Sequence, residues 1–373
     1  MRAPPVRPLC ADDTAGRGRS CWRLALGLCL ASCVAAPGTE QARQSCPYAP
    51  GAQPPAWVGP PDTSPPLGAT AVFAMTELFL GDTSLYGSPD SSAWQTYGFD
   101  LDGLTSVGHS PCECTPYGAL DTQRDGLAGI DNTFGPQVLS LWLGLDPSAT
   151  QKNDAALLAG DVNVLFEVEG LRTPAPASYP LAARVFAAAP LGSSPAFDGS
   201  DVFPFDWTEV QGRFATAYVA GDVAVLRGAT VPVPVHIWGD RVVLHVRNAT
   251  VTLELDESRE EVTLGMMGGV LDVDELVDIL YRTSSGSFCT DGKVESLANT
   301  LRACADTRTD GRGGAELPCN GVSVGVAFRG ARVVLGAPAT PPPPVAGCWA
   351  TGGSGGSDTP GAAGSGAGGA GGG

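Results

Sequence analysis

The sequence predicts a mainly β fold of the α+β type, an antiparallel β-sandwich with a few helices. Most apolar residues between positions 69 and 337 lie in short runs that Gly, Pro or Asp residues interrupt, which is typical of sheets built from short strands. One pair of these runs flanks a tight Gly-Asp turn. Apolar residues at helical spacing occur in only a few segments, mainly in a helical part at about 270–306.

The domain begins with a strand and a helix. Residues 71–80, with the sequence AVFAMTELFL, form the first predicted strand, and Gly81 ends it. Residues 135–143 place their apolar side chains on one helical face, and Pro136 is compatible with a first helical turn. Three short strands are predicted after this helix, at residues 162–169, 183–187 and 213–219.

The clearest hairpin spans residues 231–256. Gly239 and Asp240 supply a two-residue turn of the kind that tight hairpins use. In that register one face is apolar and consists of Val233, Val235, Ile237, Val242, Leu244 and Val246. The opposite face carries His236, Trp238, Arg241, Val243 and His245.

Two helices and a final strand complete the domain. Asp272 is the predicted N-cap of the first helix, and Glu275 follows three residues later, as in a capping box. The apolar side chains of this helix recur at Val273, Leu276, Val277 and Leu280. The second helix is predicted at residues 293–305, and the closing strand segments at 321–328 and 332–335.

The chain divides into four parts by composition. Residues 1–36 combine a basic stretch with a short apolar run and resemble a secretory signal peptide. Residues 37–68 are rich in Pro, Gly and Gln and form a predicted disordered linker. The β-rich domain is assigned to residues 69–337, and a disordered tail, first Pro-rich and then Gly-rich, to residues 338–373.

The end of the apolar run predicts a lipid anchor. Residues 30–33 read Leu-Ala-Ser-Cys, which matches a bacterial lipobox, and Cys33 would then carry the lipid. The alternative is ordinary signal cleavage after Ala36, since residues 34–36 are suitably small. Under the first interpretation the protein is a lipoprotein of the outer membrane or the cell surface, and the alternative is that it faces the periplasm. Its predicted partner is the membrane.

Composition excludes one class of partner. The formal net charge is −17, whereas nucleic-acid binding requires a basic patch. An acidic surface suits solubility and divalent cations. A polysaccharide or another envelope protein remains compatible with this surface.

The cysteines indicate an oxidising compartment. Cys112 and Cys114 are too close along an extended chain to bond each other without strain. The chain has 11 cysteines, several of which lie in the leader, and the remaining number is odd, so they cannot all pair within one chain. Disulfide candidates are Cys112, Cys114, Cys289, Cys304, Cys319 and Cys348.

Two Asp-Gly turns and several further carboxylates lie between positions 98 and 132. Calcium takes about six to eight oxygen ligands, and Gly lets the chain fold closely around the ion. Calcium is therefore the one cofactor that the sequence suggests, with candidate ligands Asp100, Asp102, Asp121, Asp125, Asp131 and Asn132. The alternative is that the Asp-Gly pairs form ordinary turns and that Asn132 is a cap.

No set of nucleophile, base and orienting residue is recognisable, so the sequence predicts no catalytic residues. The histidines His236 and His245 share a face of the predicted hairpin, which suits a solvated surface better than a zinc site. Several aromatic residues offer a sugar-stacking platform or, alternatively, ordinary packing: Phe203, Phe205, Trp207, Tyr218 and Trp238. A carbohydrate-binding or carbohydrate-cleaving sandwich is therefore the alternative function.

The order of several short motifs resembles a group of uncharacterised exported lipoproteins of myxobacteria and related deltaproteobacteria. The motifs lie at residues 78–83, 97–104, 125–132, 198–201, 268–271, 304–306 and 319–325. This resemblance covers about residues 70–337 and implies an exported, lipid-anchored protein. It implies no reaction or ligand. We therefore expect a cell-envelope lipoprotein that is a non-enzymatic binding or structural module, stabilised by calcium.

Overall fold

A computed structural model describes residues 51–58, 68–108, 110, 112–118, 122–172, 178–284, 292–312, 314, 316–341 and 348. All of them belong to one compact unit, Cys46–Gly373. This unit is mainly antiparallel β, with 42% strand against 20% helix, which confirms the predicted fold class. The predicted signal peptide with Cys33, most of the predicted linker and nearly all of the predicted tail lie outside the described residues.

The described residues form eleven strands and four α-helices. The strands are β1 (Ala69–Phe79), β2 (Val164–Leu171), β3 (Ser178–Pro180), β4 (Ala182–Ala187), β5 (Val202–Asp206), β6 (Gly212–Arg213), β7 (Thr216–Ala220), β8 (Val223–Ile237), β9 (Asp240–Leu255), β10 (Glu261–Asp272) and β11 (Gly321–Ala339). The helices are α1 (Ser140–Leu145), α2 (Ala149–Ala159), α3 (Val273–Thr283) and α4 (Lys293–Ala303). A π-helical turn, Phe134–Leu139, leads into α1.

One continuous sheet curls around the core, in the order β3-β7-β8-β9-β10-β11-β1-β2-β4-β6, and β5 pairs with β11 in parallel. The strands β3 and β4 are separated only by Leu181, whose N–H donates to the carbonyl of Ala217 at 2.9 Å. The N–H of Phe214 donates to the carbonyl of Ala183 at 3.1 Å. The β3–β4 run therefore pairs with β7 and β6 on one side and with β2 on the other, and the sheet closes on itself. The opposite walls of this sheet act as the two layers of the sandwich.

A large apolar core fills the curled sheet. Phe166 on β2 and Phe328 on β11 are each 1% exposed, and their rings stack with centroids 5.5 Å apart. Some strands are buried on both faces, because β5 and the loop before it cover part of the outer surface. There Val72 and Leu165 pack against Phe203, which is fully buried. Burial on two faces explains the continuous apolar runs in β1 and β2.

Both C-terminal helices form as the sequence predicts. Asp272 caps α3, since its Oδ1 accepts from the N–H groups of Asp274 at 3.0 Å and Glu275 at 3.3 Å. The apolar face of α3 is buried in the core. The same is true of α4, through Val294 and Leu301.

The β8–β9 hairpin keeps the predicted faces, but its turn lies one residue earlier. Val235 pairs with Val242, and Ile237 pairs with Asp240, so the turn residues are Trp238 and Gly239. Both have positive φ, 53° and 93°, as a type I′ turn requires. Tryptophan seldom adopts this conformation, so the Gly-Asp pair gave the more obvious sequence signal.

The strand β10 and the helix α2 were not predicted. Gly265 lies against the ring of Phe328, where a Cβ would come within 2.2 Å of a ring carbon. Packing of this kind requires glycine, and glycine weakens the sequence signal of a strand. The apolar side chains of α2 are not gathered on one face, so helical spacing could not identify it.

Residues 51–58, which fall in the predicted linker, contact the domain. The N–H of Ala52 donates to the carbonyl of Ala128 at 2.7 Å, and the carbonyl of Pro55 accepts from the Tyr218 hydroxyl at 2.7 Å. The ring of Trp57 meets that of Tyr218 edge to face, with centroids 5.7 Å apart. Pro and Gly are compatible with an extended strap as well as with a linker, so composition did not distinguish the two.

One disulfide, between Cys114 and Cys319, joins residues 205 positions apart and ties the loop after β1 to the start of β11. Cys112 and Cys348 are also disulfide-bonded, whereas Cys289 lies outside the described residues. The inclusion of Cys304 among the disulfide candidates is wrong. This thiol is free and buried on the inner face of the helix end, where its Sγ donates to the carbonyl of Thr300.

None of the helices in the described part of the chain has the length and apolar character needed to cross a membrane.

We expect Phe166→Ala to lower the free energy of unfolding by about 3–5 kcal/mol, because it removes a fully buried, stacked ring and leaves a cavity. Leu158→Ala is the control, since Leu158 on α2 is 56% exposed, and it should cost less than about 0.5 kcal/mol. Urea denaturation of the three proteins measures both. A loss below about 1 kcal/mol for Phe166→Ala would contradict the assigned core.

Candidate cation site in an acidic cavity

Three segments of the chain meet, and two of them carry the predicted calcium ligands. The N–H of Asp131 donates to the carbonyl of Phe99 at 3.0 Å, and the N–H of Asp125 donates to the carbonyl of Ser106 at 3.0 Å. The N–H of Asp100 donates to the carbonyl of Ala52 at 2.9 Å. Backbone pairing thus holds the first Asp-Gly turn against the second and against the strap formed by residues 51–58.

Three of the six candidate ligands come together. Ligand oxygens of Asp100, Asp102 and Asp131 all lie within 4.8 Å of one another. Asp100 is buried, Asp131 is half-buried and Asp102 is exposed. Asp121 lies outside the described residues. The sequence therefore identified a real cluster of carboxylates, although the spacing of these residues matches no standard calcium loop.

Backbone N–H groups orient each carboxylate of the cluster. Asp100 accepts from Gly103 at 2.6 Å and, through its other oxygen, from Gly51. Asp131 accepts from Leu101 at 2.6 Å, and Asp102 accepts from Leu104 at 2.8 Å. These hydrogen bonds are those of ordinary Asp-Gly turns, which the alternative interpretation of the sequence predicted. They also leave further lone pairs on the carboxylate oxygens, so turn formation and cation binding are compatible.

Asn132 has a role inside the core. Its Nδ2 donates to the carbonyls of Trp94, Tyr97 and Gly325, at 3.1, 3.2 and 2.9 Å, and its Oδ1 accepts from the N–H of Gly135 at 3.2 Å. The residue is 1% exposed. Both ends of the amide are therefore engaged with the backbone, as expected for the cap that the alternative interpretation proposed.

Three further carboxylates surround the cluster, and the sequence identified only Asp125. Asp125 accepts from the N–H of Ser106, and the Ser106 hydroxyl donates to Glu113. Asp306, at the end of α4, accepts from the N–H of Ser323 at 2.8 Å and from its hydroxyl. Glu113 and Asp306 reach this place through long-range contacts near the Cys114–Cys319 disulfide, for which the sequence holds no local signal.

Four of these six carboxylates line a cavity of about 420 Å³. Asp100, Asp102, Glu113 and Asp306 contribute to its wall, and the other charged residues in the wall are Arg227, Arg308 and Arg312. The Arg308 guanidinium is already bound to Asp310. Among the ion pairs of the described residues, none involves Asp100, Asp102, Glu113, Asp125, Asp131 or Asp306.

Burial and mutual repulsion raise the pKa values of these carboxyl groups. Burial, together with the negative charges of neighbouring carboxylates, raises the pKa of Glu113 to about 8 and that of Asp125 to about 7. Burial raises the pKa of Asp306 to about 7, against the hydrogen bonds from Ser323. The pKa of Asp131 is raised well above its usual value by burial and by Asp102. Although Asp102 is exposed as a residue, burial of its carboxyl group raises its pKa as well.

A second charged cluster lies around His245 on β9. Its Nε2 lies 2.9 Å from Glu209, and its Nδ1 bonds to Glu275 on α3. The hydrogen bond that His245 donates to Glu209, and after it the one to Glu275, raise the pKa of His245 to about 9. A protonated imidazole with both nitrogens engaged is neither a general base nor a metal ligand. His245 therefore serves as an ion-pair link between β9 and α3.

The aromatic residues proposed as a sugar platform do not share one exposed surface. Phe203 is fully buried and Tyr218 is 7% exposed, whereas Trp238 packs against the main core. Trp207 is 57% exposed, and its Nε1 donates to the Thr340 hydroxyl at 2.8 Å. Packing accounts for the others, so the acidic cavity is the stronger candidate site.

Neither a protein family, nor a curated protein, nor a solved structure matches this chain. The function is therefore inferred from the geometry and electrostatics of the cavity.

We expect the stability of the calcium-free protein to fall as pH rises from about 5 to 8. Glu113 has a folded-state pKa of about 8, raised from 4.5, so the folded state binds the proton more tightly than the unfolded state does. The stability that this proton adds to the folded state is fully present below the unfolded-state pKa of Glu113 and is lost as pH rises through 8. Glu113→Gln should therefore gain stability relative to wild type by up to about 1.4 kcal/mol per pH unit in this range.

Urea denaturation at several pH values in calcium-free buffer measures this difference. Glu254→Gln, which changes an exposed carboxylate on β9, is the control. Its free energy of unfolding should change with pH as that of wild type does. A constant difference between Glu113→Gln and wild type across the range would show that Glu113 is not held protonated by its surroundings.

Proposed function

We propose that this protein is an exported, lipid-anchored cell-envelope protein that acts as a non-enzymatic binding or structural module stabilised by calcium. The observation that carries the proposal is the convergence of Asp100, Asp102 and Asp131 within 4.8 Å, beside Glu113 and Asp306 in the wall of one cavity. This concentration of negative charge is partly shielded from water and has no ion-pair partner among the described residues.

Calcium suits this arrangement better than other divalent cations. The available ligands are carboxylate oxygens, which favour hard cations. They come from separate turns of the chain, and calcium tolerates the irregular geometry that such a set imposes, whereas magnesium requires a near-ideal octahedron. Asp100, Asp102 and Asp131 would be the central ligands, because backbone N–H groups already fix their orientation.

Bound calcium would have a structural effect. It would replace the protons that Glu113 and Asp125 otherwise retain near neutral pH, and it would remove the repulsion between the turns. The two Asp-Gly turns and the strap of residues 51–58 would then be held together by the ion as well as by backbone hydrogen bonds. A cation that binds only the folded state stabilises it by mass action.

The described residues support a non-enzymatic role. The His245 ring is engaged on both sides by carboxylates. His236 lies on the same strand pair, and burial lowers its pKa. Neither of these two histidines lines the acidic cavity, and His109 lies outside the described residues.

Export and anchoring complete the proposal. The disulfide between Cys114 and Cys319 favours an oxidising compartment, since such bonds are rare in the cytosol. The resemblance of residues 30–33 to a lipobox supports attachment through Cys33. The membrane is therefore the proposed partner, and the outer membrane or cell surface is the proposed location.

We expect saturating calcium to raise the melting temperature of the purified protein by roughly 5 °C or more at pH 7.5, compared with the protein in chelator. The Asp102→Asn/Asp131→Asn double variant should lose most of this shift, because two of the three clustered carboxylates become neutral. Thermal melts with calcium, magnesium and chelator measure it, and magnesium should give a smaller shift.

Asp198→Asn is the matched control, since Asp198 also precedes a glycine in an exposed turn but lies outside the cavity wall. It should keep the full calcium shift. The proposal fails if wild type shows no calcium-dependent shift, or if the double variant retains it.

For the anchor, we expect wild-type cells grown with radioactive palmitate to label the protein, and the Cys33→Ala variant to remain unlabelled. Cys29→Ala, within the apolar run, should label normally. Equal labelling of wild type and Cys33→Ala would reject lipidation at Cys33 and favour ordinary cleavage after Ala36.

A further inference from the structure

We propose that the loops around the acidic cavity dock on an anionic lipid surface, with bound calcium bridging the carboxylates to lipid phosphate groups. Docking of this kind rests on the calcium site proposed above and gives that site a partner. It goes beyond the lipid anchor, which attaches the chain to a membrane but does not bring any particular surface of the domain into contact with it.

The chain enters the described part of the domain at the cavity. The N–H of Gly51 donates to a carboxylate oxygen of Asp100, and Pro54 lies in the cavity wall. Residues 34–50 separate Gly51 from Cys33, the proposed lipid attachment site, and a chain of this length spans at most about 60 Å. The cavity is therefore the part of the domain that lies nearest to the proposed anchor along the chain.

The carboxylate cluster leaves room for a ligand atom from a second molecule. Calcium takes about six to eight oxygens. Asp100, Asp102 and Asp131 supply three carboxylates, and each of these already accepts a backbone hydrogen bond. Asp102 is exposed, and the cavity that it lines has a volume of about 420 Å³. A phosphate oxygen, which is a hard ligand, can therefore complete the coordination of an ion held by the three carboxylates.

Two arginines in the cavity wall can contact the same phosphate layer. Arg227 on β8 is exposed, and none of the ion pairs among the described residues involves it. Arg312 lies with its Nε 3.9 Å from Asp310, and its side chain is 78% exposed. Guanidinium groups bind phosphate through paired N–H donors. The wall thus presents positive groups beside the ion, although the chain as a whole carries a formal charge of −17.

Exposed apolar side chains lie on the loops that carry the two Asp-Gly turns. Val107 is 82% exposed and pairs with Arg124 in a β-bridge, next to the backbone bond between Ser106 and Asp125. Leu127 is 59% exposed and directly follows the second Asp-Gly turn. A lipid surface, in which phosphate groups cover an apolar layer, suits apolar side chains that lie close to bound calcium and arginines.

The test uses the full chain with the substitution Cys33→Ala, which removes the proposed lipid, so that any vesicle binding comes from the rest of the protein. Sedimentation with vesicles measures this binding. We expect binding to vesicles that contain phosphatidylglycerol when calcium is present. Binding should be at least about tenfold weaker in chelator, or to vesicles of phosphatidylcholine alone. The melting temperature of the same protein is recorded with calcium and with chelator.

Val107→Ser/Leu127→Ser, added to Cys33→Ala, should weaken the calcium-dependent vesicle binding by roughly tenfold, because two apolar side chains no longer leave water. It should keep the calcium-dependent shift in melting temperature, since neither residue is a proposed ligand. The matched control is Val202→Ser/Leu158→Ser, at positions 54% and 56% exposed on β5 and α2. This control should bind vesicles as the Cys33→Ala protein does.

Docking is overturned if the Cys33→Ala protein shows the calcium-dependent melting shift but binds vesicles alike with calcium and with chelator. It is also overturned if both kinds of vesicle bind equally, or if Val107→Ser/Leu127→Ser has no effect on binding. Absence of the melting shift itself would reject the calcium site, and with it the docking, so the two failures are distinguished by the melts.

Discussion

The closure of one curled sheet on itself is the constraint on which the rest of the structure depends. The run Ser178–Pro180, Leu181 and Ala182–Ala187 provides it, because it pairs with β7 and β6 on one side and β2 on the other. With both sides of this run paired, the long strands β8, β9, β10 and β11 surround a single core. The loops at the ends of these strands are then fixed in position, and it is loops that carry the acidic cavity.

The acidic cavity shows what such fixed loops can hold. Carboxylates in flexible loops would move apart until water separated them. Here the Cys114–Cys319 bond, the bonds between Asp306 and Ser323, and the strap of residues 51–58 keep them close. The repulsion between these carboxylates is reduced when they retain protons or bind a cation. Where neither happens, the repulsion lowers the free energy of unfolding, and the packing of the sheet must compensate for that loss. The site is therefore a consequence of the tertiary structure more than of any one motif.

Local patterns in the sequence predicted those features that depend on neighbouring residues. The shared apolar face of Val235 and Val242, the cap at Asp272 and the apolar faces of α3 and α4 all follow from periodicity and turn chemistry. The Asp-Gly turns likewise predicted that Asp100, Asp102 and Asp131 would gather. Glu113 and Asp306 could not be predicted, because long-range contacts bring them to the cavity. Cys304 was misassigned because a sequence does not distinguish a buried free thiol from a disulfide cysteine. The strand β10 was missed because its close packing requires glycines, which weaken the sequence signal of a strand.

Diffraction from crystals grown with calcium, recorded at a long wavelength where calcium scatters anomalously, tests the central claim most directly. We expect an anomalous peak beside Asp100, Asp102 and Asp131, with carboxylate oxygens at about 2.3–2.6 Å from it. Crystals that hold no ion at this position in saturating calcium, with the carboxylates still clustered, would contradict it.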